Sequence, residues 1–113
     1  MDTAKVVKAL AALAQEHRLA AFRLLVQAGP DGLAAGALAE ALGIKPSALS
    51  FHITQLAYAG LVTQRRSGRW VIYAADYGVM DQVMGFLTEN CCAGAACTPA
   101  GTCTAETSSE RND

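Results

Sequence analysis

The stretch GIKPSALSFHITQLAYAGLVTQRRSGRWVIYAA, residues 43–75, decides the fold of this chain. Pro46 suits the first turn of a helix, because its missing N–H needs no partner there, and Gly60 can end that helix. Two runs of β-forming residues follow, LVTQRR and RWVIYAA, and Ser67-Gly68 between them is a turn dipeptide. The stretch therefore predicts a helix followed directly by a β-hairpin.

Helical patterns flank this stretch on both sides. Apolar residues recur at helical spacing over residues 4–15, 16–29 and 35–42, and again in YGVMDQVMGFLTEN, residues 77–90. The predicted order is α-α-α-α-β-β-α, a mainly α fold with a small β-hairpin wing. A short helix, a tight turn, a second helix and a hairpin make a winged helix-turn-helix, whose second helix enters the DNA major groove.

The helix that begins at Pro46 has an apolar face and a polar face. Leu49, Ile53 and Leu56 share the stripe that we expect to be buried. The small hydroxyl and amide groups on the other side suit base edges and phosphates, although they could also form an ordinary polar surface. The side chains on this face and its flanks are Ser47, Ser50, Phe51, His52, Thr54, Gln55 and Tyr58.

The wing carries the charge that favours a nucleic-acid partner. Arg65, Arg66 and Arg69 surround its tip, and residues 41–75 contain no Asp or Glu, although the formal net charge of the chain is −1. A basic segment in a neutral chain is a weak electrostatic signal by itself. Combined with the polar face of the preceding helix, it predicts DNA binding.

Length and composition restrict the remaining possibilities. At 113 residues we expect one domain with a modest core, to which dimerisation would add stability. No apolar run approaches the roughly 18 residues of a membrane helix, and the N-terminus lacks a signal-peptide pattern. We therefore expect no membrane association and a cytoplasmic location, where clustered thiols indicate metal or redox chemistry more often than disulfides.

The segment ALSFHITQLAYAGLVTQRRSGRWVIYAA resembles the recognition helix and wing of the ArsR-type (SmtB/ArsR) winged-helix repressors, which respond to metals and metalloids. LAALAQEHRLAAFRLL and GALAEALGIKPSALS extend the resemblance. It implies a homodimer paired through its first and last helices, bound to inverted-repeat operator DNA and released by an inducer. It implies operator contacts from Ser47, Ser50, His52, Arg65, Arg66 and Arg69, and the exposed-face pattern adds Thr54 and Gln55.

His52 has a second interpretation. On a helical wheel it borders the apolar stripe, so a structural hydrogen bond is an alternative to a DNA contact.

All four cysteines lie in ENCCAGAACTPAGTC, residues 89–103. The helix over residues 35–42 contains no Cys-x-Cys, and the last helix has Asp76 and Asp81 but no histidine, so two other well-known inducer sites of the family are absent. Adjacent cysteines just after the last helix resemble the arsenite-sensing members of the family. The predicted ligands are Cys91, Cys92 and Cys97, with Cys103 as the alternative third ligand.

Thiolates are soft ligands that select soft centres, and trivalent arsenic binds three sulfurs in a pyramid. The thiols are therefore expected to bind trivalent arsenic. Because the helical pattern ends at residue 90, we predict a DNA-binding and dimerisation domain over residues 1–90 and a flexible tail over residues 91–113, with the inducer site at its start. The expected inducers are arsenite, methylarsenite and, as a mimic, antimonite. We expect no resident cofactor.

Other uses of the cysteines stay open. They could bind Cd(II), Pb(II) or Zn(II), hold an iron–sulfur cluster, respond to thiol oxidation, or have no role in a disordered tail. Catalysis is not expected, because the segment lacks the arginine of an anion-binding loop and no general base lies nearby in sequence.

Overall fold

A computed structural model gives the fold and describes residues 1–94. Five α-helices, three strands and a 3₁₀ turn follow one another along these residues. The predicted order is confirmed, with one added strand near residue 33. The bounds are α1 Thr3–Leu13, α2 Glu16–Ala28, β1 Leu33–Ala34, α3 Ala35–Leu42, α4 Pro46–Tyr58, β2 Val62–Ser67, β3 Trp70–Ala75, α5 Tyr77–Leu87 and the 3₁₀ turn Cys91–Gly94.

Local sequence sets the ends of the helices. The side chain of Gln15 accepts a hydrogen bond of 3.0 Å from the backbone N–H of Arg18, which satisfies one unpaired donor in the first turn of α2. Gly43 follows α3 with φ of 68°, in the left-handed region that glycine adopts without steric cost. Pro46 is at the start of α4, as its missing N–H predicts.

The core forms where α4 packs against α1, α2, α3 and β2. Leu49, Ile53 and Leu56 of α4 are each at most 2% exposed, which confirms the predicted buried stripe. Leu25 of α2 and Leu38 of α3 are fully buried as well. Each such leucine stabilises the fold by roughly 1.5–3 kcal/mol relative to an exposed one. The packing of this stripe fixes the opposite face of α4 toward solvent.

The wing is part of a three-stranded antiparallel sheet in the order β1-β3-β2. Ser67 pairs with Trp70, so the two residues of the turn are Gly68 and Arg69. The predicted Ser67-Gly68 turn is therefore wrong by one residue. Gly68 has φ of 63°, and a glycine with positive φ at the first turn position is typical of a tight two-residue hairpin.

Strand β1 was not predicted. It consists of two residues, Leu33 and Ala34, which pair with Tyr73 and Ile72 of β3. Gly32 precedes it with φ of 73°, and a Cβ at this position would clash with the backbone carbonyl of Tyr73. Glycine is therefore required here, both by its φ and by the close approach of β3.

The described chain divides into two compact units, Met1–Val83 and a second unit that begins at Met84. Helix α5 ends at Leu87, three residues before the predicted end at residue 90. Beyond it, Asn90 has φ of 57°, in the left-handed region that does not continue a right-handed helix. No helix within residues 1–94 has the length and apolar character needed to cross a membrane.

Candidate nucleic-acid interface and cysteine site

The solvent face of α4 carries the predicted base-reading side chains. Ser47, Ser50, Thr54 and Gln55 are all exposed. The Thr54 hydroxyl donates a hydrogen bond of 2.7 Å to the carbonyl oxygen of Ser50, one turn earlier in the same helix. This hydroxyl is therefore already used as a donor, and its oxygen can only accept a hydrogen bond, for example from the amino group of a base.

His52 lies at the border of this face and is half-buried. Its Nδ1 atom is buried and makes no hydrogen bond within residues 1–94, so the alternative of a structural hydrogen bond is not realised at this atom. Its ring centroid lies 5.4 Å from that of His17 in α2. Burial, followed by the charges of Arg18 and His17, lowers the pKa of His52 below its ordinary value. The imidazole is therefore held largely neutral near pH 7.

The three wing arginines are exposed but are not equivalent. Arg65 Nη2 donates a hydrogen bond of 3.1 Å to the carbonyl oxygen of Asp31, in the loop between α2 and β1. Arg69 occupies the turn, and Arg66 lies opposite Val71 on the neighbouring strand. Arg65 therefore ties the wing to the rest of the domain, while Arg66 and Arg69 are placed to meet a polyanion.

The sequence interpretation missed two cations from other helices beside the C-terminal end of α4. Lys8 of α1 places its Nζ 3.7 Å from the centre of the Tyr58 ring, a cation–π contact. Lys8 and Arg18 line a shallow cleft together with Gln55 and Tyr58. Only the tertiary packing of α1 and α2 against α4 reveals this positive charge, because the residues are far apart in the sequence.

Two of the four predicted thiol ligands lie within the described residues. Cys91 is half-buried, Cys92 is exposed, and both belong to the 3₁₀ turn that follows α5. Cys92 is disulfide-bonded, and both Cys92 and Ala93 have positive φ, 56° and 54°. The other predicted ligands, Cys97 and Cys103, lie outside the described residues.

A conventional metal cluster is absent from the part of the chain that the structure describes. No three His, Cys, Asp or Glu side chains within residues 1–94 come together in an arrangement that could hold a metal ion. A three-coordinate centre built on Cys91 and Cys92 would therefore need its third ligand from outside residues 1–94 of the same subunit.

Comparison with known proteins supports the winged helix-turn-helix fold. A helix-turn-helix domain family matches residues 13–65, which include α2, α3 and α4. Two curated relatives are the nodulation protein NolR of Rhizobium meliloti, 32% identical over 80 residues, and a protein of Halobacterium salinarum named as the arsenical resistance operon repressor ArsR, 40% identical over 67 residues. The matches cover 71% and 59% of this chain, which spans 63% and 51% of the length of those relatives.

Solved structures agree with this assignment. HlyU of Vibrio cholerae is 32% identical with a TM-score of 0.63, and the alignment covers 81% of this chain and 99% of HlyU. The homodimeric winged helix-turn-helix DNA-binding domain of Mb0332 from Mycobacterium bovis is 27% identical with a TM-score of 0.62, covering 76% of this chain and 80% of that domain. The chain described here therefore has the winged helix-turn-helix fold and is similar to ArsR-type transcriptional regulators.

Proposed function

We propose that this protein is a transcriptional repressor that binds operator DNA as a homodimer and is released when trivalent arsenic binds its C-terminal cysteine thiolates. The observation that carries the DNA-binding part is the exposed polar face of α4, followed at once by an arginine-bearing wing. Residues 41–75 contain no acidic side chain that would repel phosphates there.

The two DNA-binding elements have separate tasks in this proposal. Ser47, Ser50 and Gln55 offer hydroxyl and amide groups to base edges and nearby phosphates in the major groove. Arg66 and Arg69 contact phosphates or the adjacent groove, which adds affinity without much sequence information. The inverted repeat follows from the two-fold symmetry of a dimer, whose half-sites are spaced about 34–36 Å apart.

Exposed apolar side chains on α1 and α5 support a second copy of the chain as the dimer partner. Val7 of α1 is 58% exposed, and Met84 and Leu87 of α5 are 58% and 59% exposed. Such side chains on helices of a regulator indicate a protein contact, since burying them in a symmetric interface removes apolar surface from water. Mb0332 of Mycobacterium bovis is a homodimer with the same fold.

The choice of trivalent arsenic rests on the chemistry of the thiols. Once the disulfide at Cys92 is reduced, Cys91 and Cys92 place two soft thiolate donors side by side directly after α5, and the H. salinarum relative is named for an arsenical resistance operon. Arsenite needs a third thiolate, for which Cys97 is our first choice and Cys103 the alternative. Methylarsenite already carries one substituent and needs two thiolates, and antimonite acts as a mimic of arsenite.

Release from DNA follows from a change in dimer geometry. In this proposal, three cysteine thiols replace the three hydroxyl groups of arsenite, As(OH)3, which leave as three waters. The resulting As–S bonds order residues 91–97 against the end of α5 and rotate the two recognition helices relative to each other. Both helices then no longer fit their half-sites at once. A coupling free energy of about 1–3 kcal/mol weakens DNA binding about 5- to 150-fold, which is enough for derepression.

The test is fluorescence anisotropy of a labelled DNA fragment from upstream of the protein's own gene. Protein is titrated under reducing conditions, and then arsenite, methylarsenite, Zn(II) or Cd(II) is added. We expect binding, followed by release with the arsenicals alone. Cys91→Ser and Cys92→Ser should bind DNA normally but resist arsenite. Loss of DNA binding in these variants would contradict the separate roles of domain and thiols.

The disulfide at Cys92 favours a second candidate, a repressor that senses thiol oxidation through the same cysteines. Oxidation would then replace arsenic as the signal that constrains the turn after α5. Release of DNA by peroxide in a chelator-treated, arsenic-free sample, and recovery on adding a thiol reductant, would support this candidate. Release by Cd(II) or Zn(II) in the anisotropy experiment would indicate metal sensing.

A further inference from the structure

Phe51 presents a large apolar side chain to solvent at the middle of α4. The side chain is 59% exposed, whereas its neighbours on the core stripe, Leu49 and Ile53, are 2% exposed. Helical spacing puts Phe51 on the same face as Thr54 and Gln55, three and four residues later. An exposed ring at this position adds nothing to the packing of the core, and it leaves apolar surface in contact with water.

Phe51 is also held in place. Its ring centroid lies 5.5 Å from that of His52 with an interplanar angle of 66°, which is an edge-to-face contact. His52 in turn contacts His17 of α2 at 5.4 Å. The three rings form a chain from α2 to the exposed face of α4. An aromatic side chain that is already oriented loses less conformational entropy when it meets a partner.

The chemistry of the groove identifies what this ring can recognise. Base edges in the major groove offer hydrogen-bond donors and acceptors, and the 5-methyl group of thymine is the apolar group among them. Of the four bases, a phenyl ring that can neither donate nor accept a conventional hydrogen bond therefore suits thymine best, because of its methyl group. The hydroxyl and amide groups around it serve the polar edges of neighbouring base pairs.

We propose that Phe51 packs against the 5-methyl group of one thymine in each half-site and thereby requires a T·A pair at that position of the operator. This inference rests on the proposed function, since it needs α4 in the major groove. His52 is a positioning residue in this arrangement: it orients the Phe51 ring without touching the base.

The experiment removes the methyl group of thymine and keeps the hydrogen bonds of the base pair. In the anisotropy assay, each thymine of the bound fragment is exchanged in turn for 2′-deoxyuridine, which pairs with adenine identically but lacks the methyl. For the wild-type protein we expect one position per half-site at which the exchange weakens binding about fourfold, the factor for losing one buried methyl group. Exchange in both half-sites should weaken binding about fifteenfold.

The variant Phe51→Ala completes the comparison. It should bind thymine and deoxyuridine duplexes equally, with a Kd ratio near 1, and should retain the wild-type far-UV circular dichroism because the side chain is outside the core. Leu19→Ala is the matched control: Leu19 belongs to α2, outside α4 and the wing, is 46% exposed, and its removal should leave the deoxyuridine effect intact.

Three outcomes overturn the inference while leaving DNA binding established. In the first, no single thymine is sensitive to the exchange. In the second, the sensitivity persists in Phe51→Ala. In the third, Leu19→Ala abolishes it. If the wild-type protein binds no fragment at all, the proposed function itself fails, and the two failures are thus distinguishable.

Discussion

The hydroxyl of Tyr77, the first residue of α5, donates a hydrogen bond of 2.9 Å to the carbonyl oxygen of Val26 in the last turn of α2. The same hydroxyl lies 3.4 Å from the carbonyl oxygen of Leu25. Carbonyl groups in the last turn of a helix have no partner within the helix, so this contact satisfies one that would otherwise need water. The start of α5 is therefore anchored on the helix that also supports α4.

Tyr77→Phe removes this hydrogen bond and keeps the ring. We expect the free energy of unfolding to fall by about 0.5–1.5 kcal/mol, because a half-buried carbonyl loses its donor. Urea denaturation followed by circular dichroism measures this change. Tyr73→Phe is the control, because the Tyr73 hydroxyl makes no hydrogen bond within residues 1–94. An equal loss in both variants would mean that the Tyr77 bond contributes nothing specific.

Gly32→Ala tests the close approach of β1 and β3. A methyl group at this position would clash with the Tyr73 carbonyl and would also need positive φ, so we expect a loss of about 2 kcal/mol or more in the free energy of unfolding. Gly36→Ala in α3 is the matched control. Nothing lies within 4 Å of an added methyl group there, and helix propensity predicts a gain of up to about 1 kcal/mol. A neutral Gly32→Ala would contradict the described pairing of β1 with β3.

The helices could be predicted from the sequence because each combines helical spacing of apolar residues with a local end signal. Residues 35–42 show this best, since Gly43 closes the helix where the sequence places it. Strand β1 could not be predicted, because two residues carry no alternating pattern and their pairing depends on a strand about forty residues later. The predicted turn, Ser67-Gly68, lies one residue before the observed turn because both residues are common in turns. Only the pairing of Ser67 with Trp70 in the structure shows that the turn begins at Gly68.

For the candidate interface, the exposed face of α4 could be predicted from the sequence, but its contacts with other helices could not. Exposure along α4 follows from its own spacing, so the faces of Ser47 and Leu49 could be assigned from sequence. The contacts between helices could not be predicted in this way. Lys8 of α1 contacts Tyr58, and His17 of α2 contacts His52, only because α1 and α2 pack on α4. No local pattern marks such pairs, since they join residues more than thirty positions apart.

Arg69→Gln tests the role of the wing. Removal of one phosphate contact should lower the slope of log K against log salt concentration by about 1, or about 2 for a dimer, with similar losses for specific and random DNA. Arg23→Gln, an exposed arginine of α2, should leave the slope unchanged. Arg65→Gln should in addition lower the melting temperature, because Arg65 binds the Asp31 carbonyl. A slope unaffected by Arg69→Gln would remove the wing tip from the interface.

His52 makes stability depend on pH. Its pKa is lowered in the folded protein by burial and by the charges of Arg18 and His17, so the unfolded chain binds a proton at higher pH than the folded one. The contribution of neutral His52 is therefore complete above the ordinary histidine pKa of about 6.5 and is lost as pH falls below that value. We expect the melting temperature to fall between about pH 7.5 and about pH 5.5, and to fall less in His52→Gln. A steeper fall in His52→Gln would contradict this sign.

Trp70 provides a direct signal of wing contact with DNA. It is the single tryptophan of the chain, is 62% exposed, and flanks the wing turn opposite Ser67. If the wing meets the operator, the indole leaves water for the DNA surface, and its emission should shift to shorter wavelength and change in intensity as the duplex is titrated. Arsenite should restore the spectrum of the unbound protein in step with the anisotropy. Operator binding detected by anisotropy without any change in tryptophan emission would show that recognition proceeds through α4 alone.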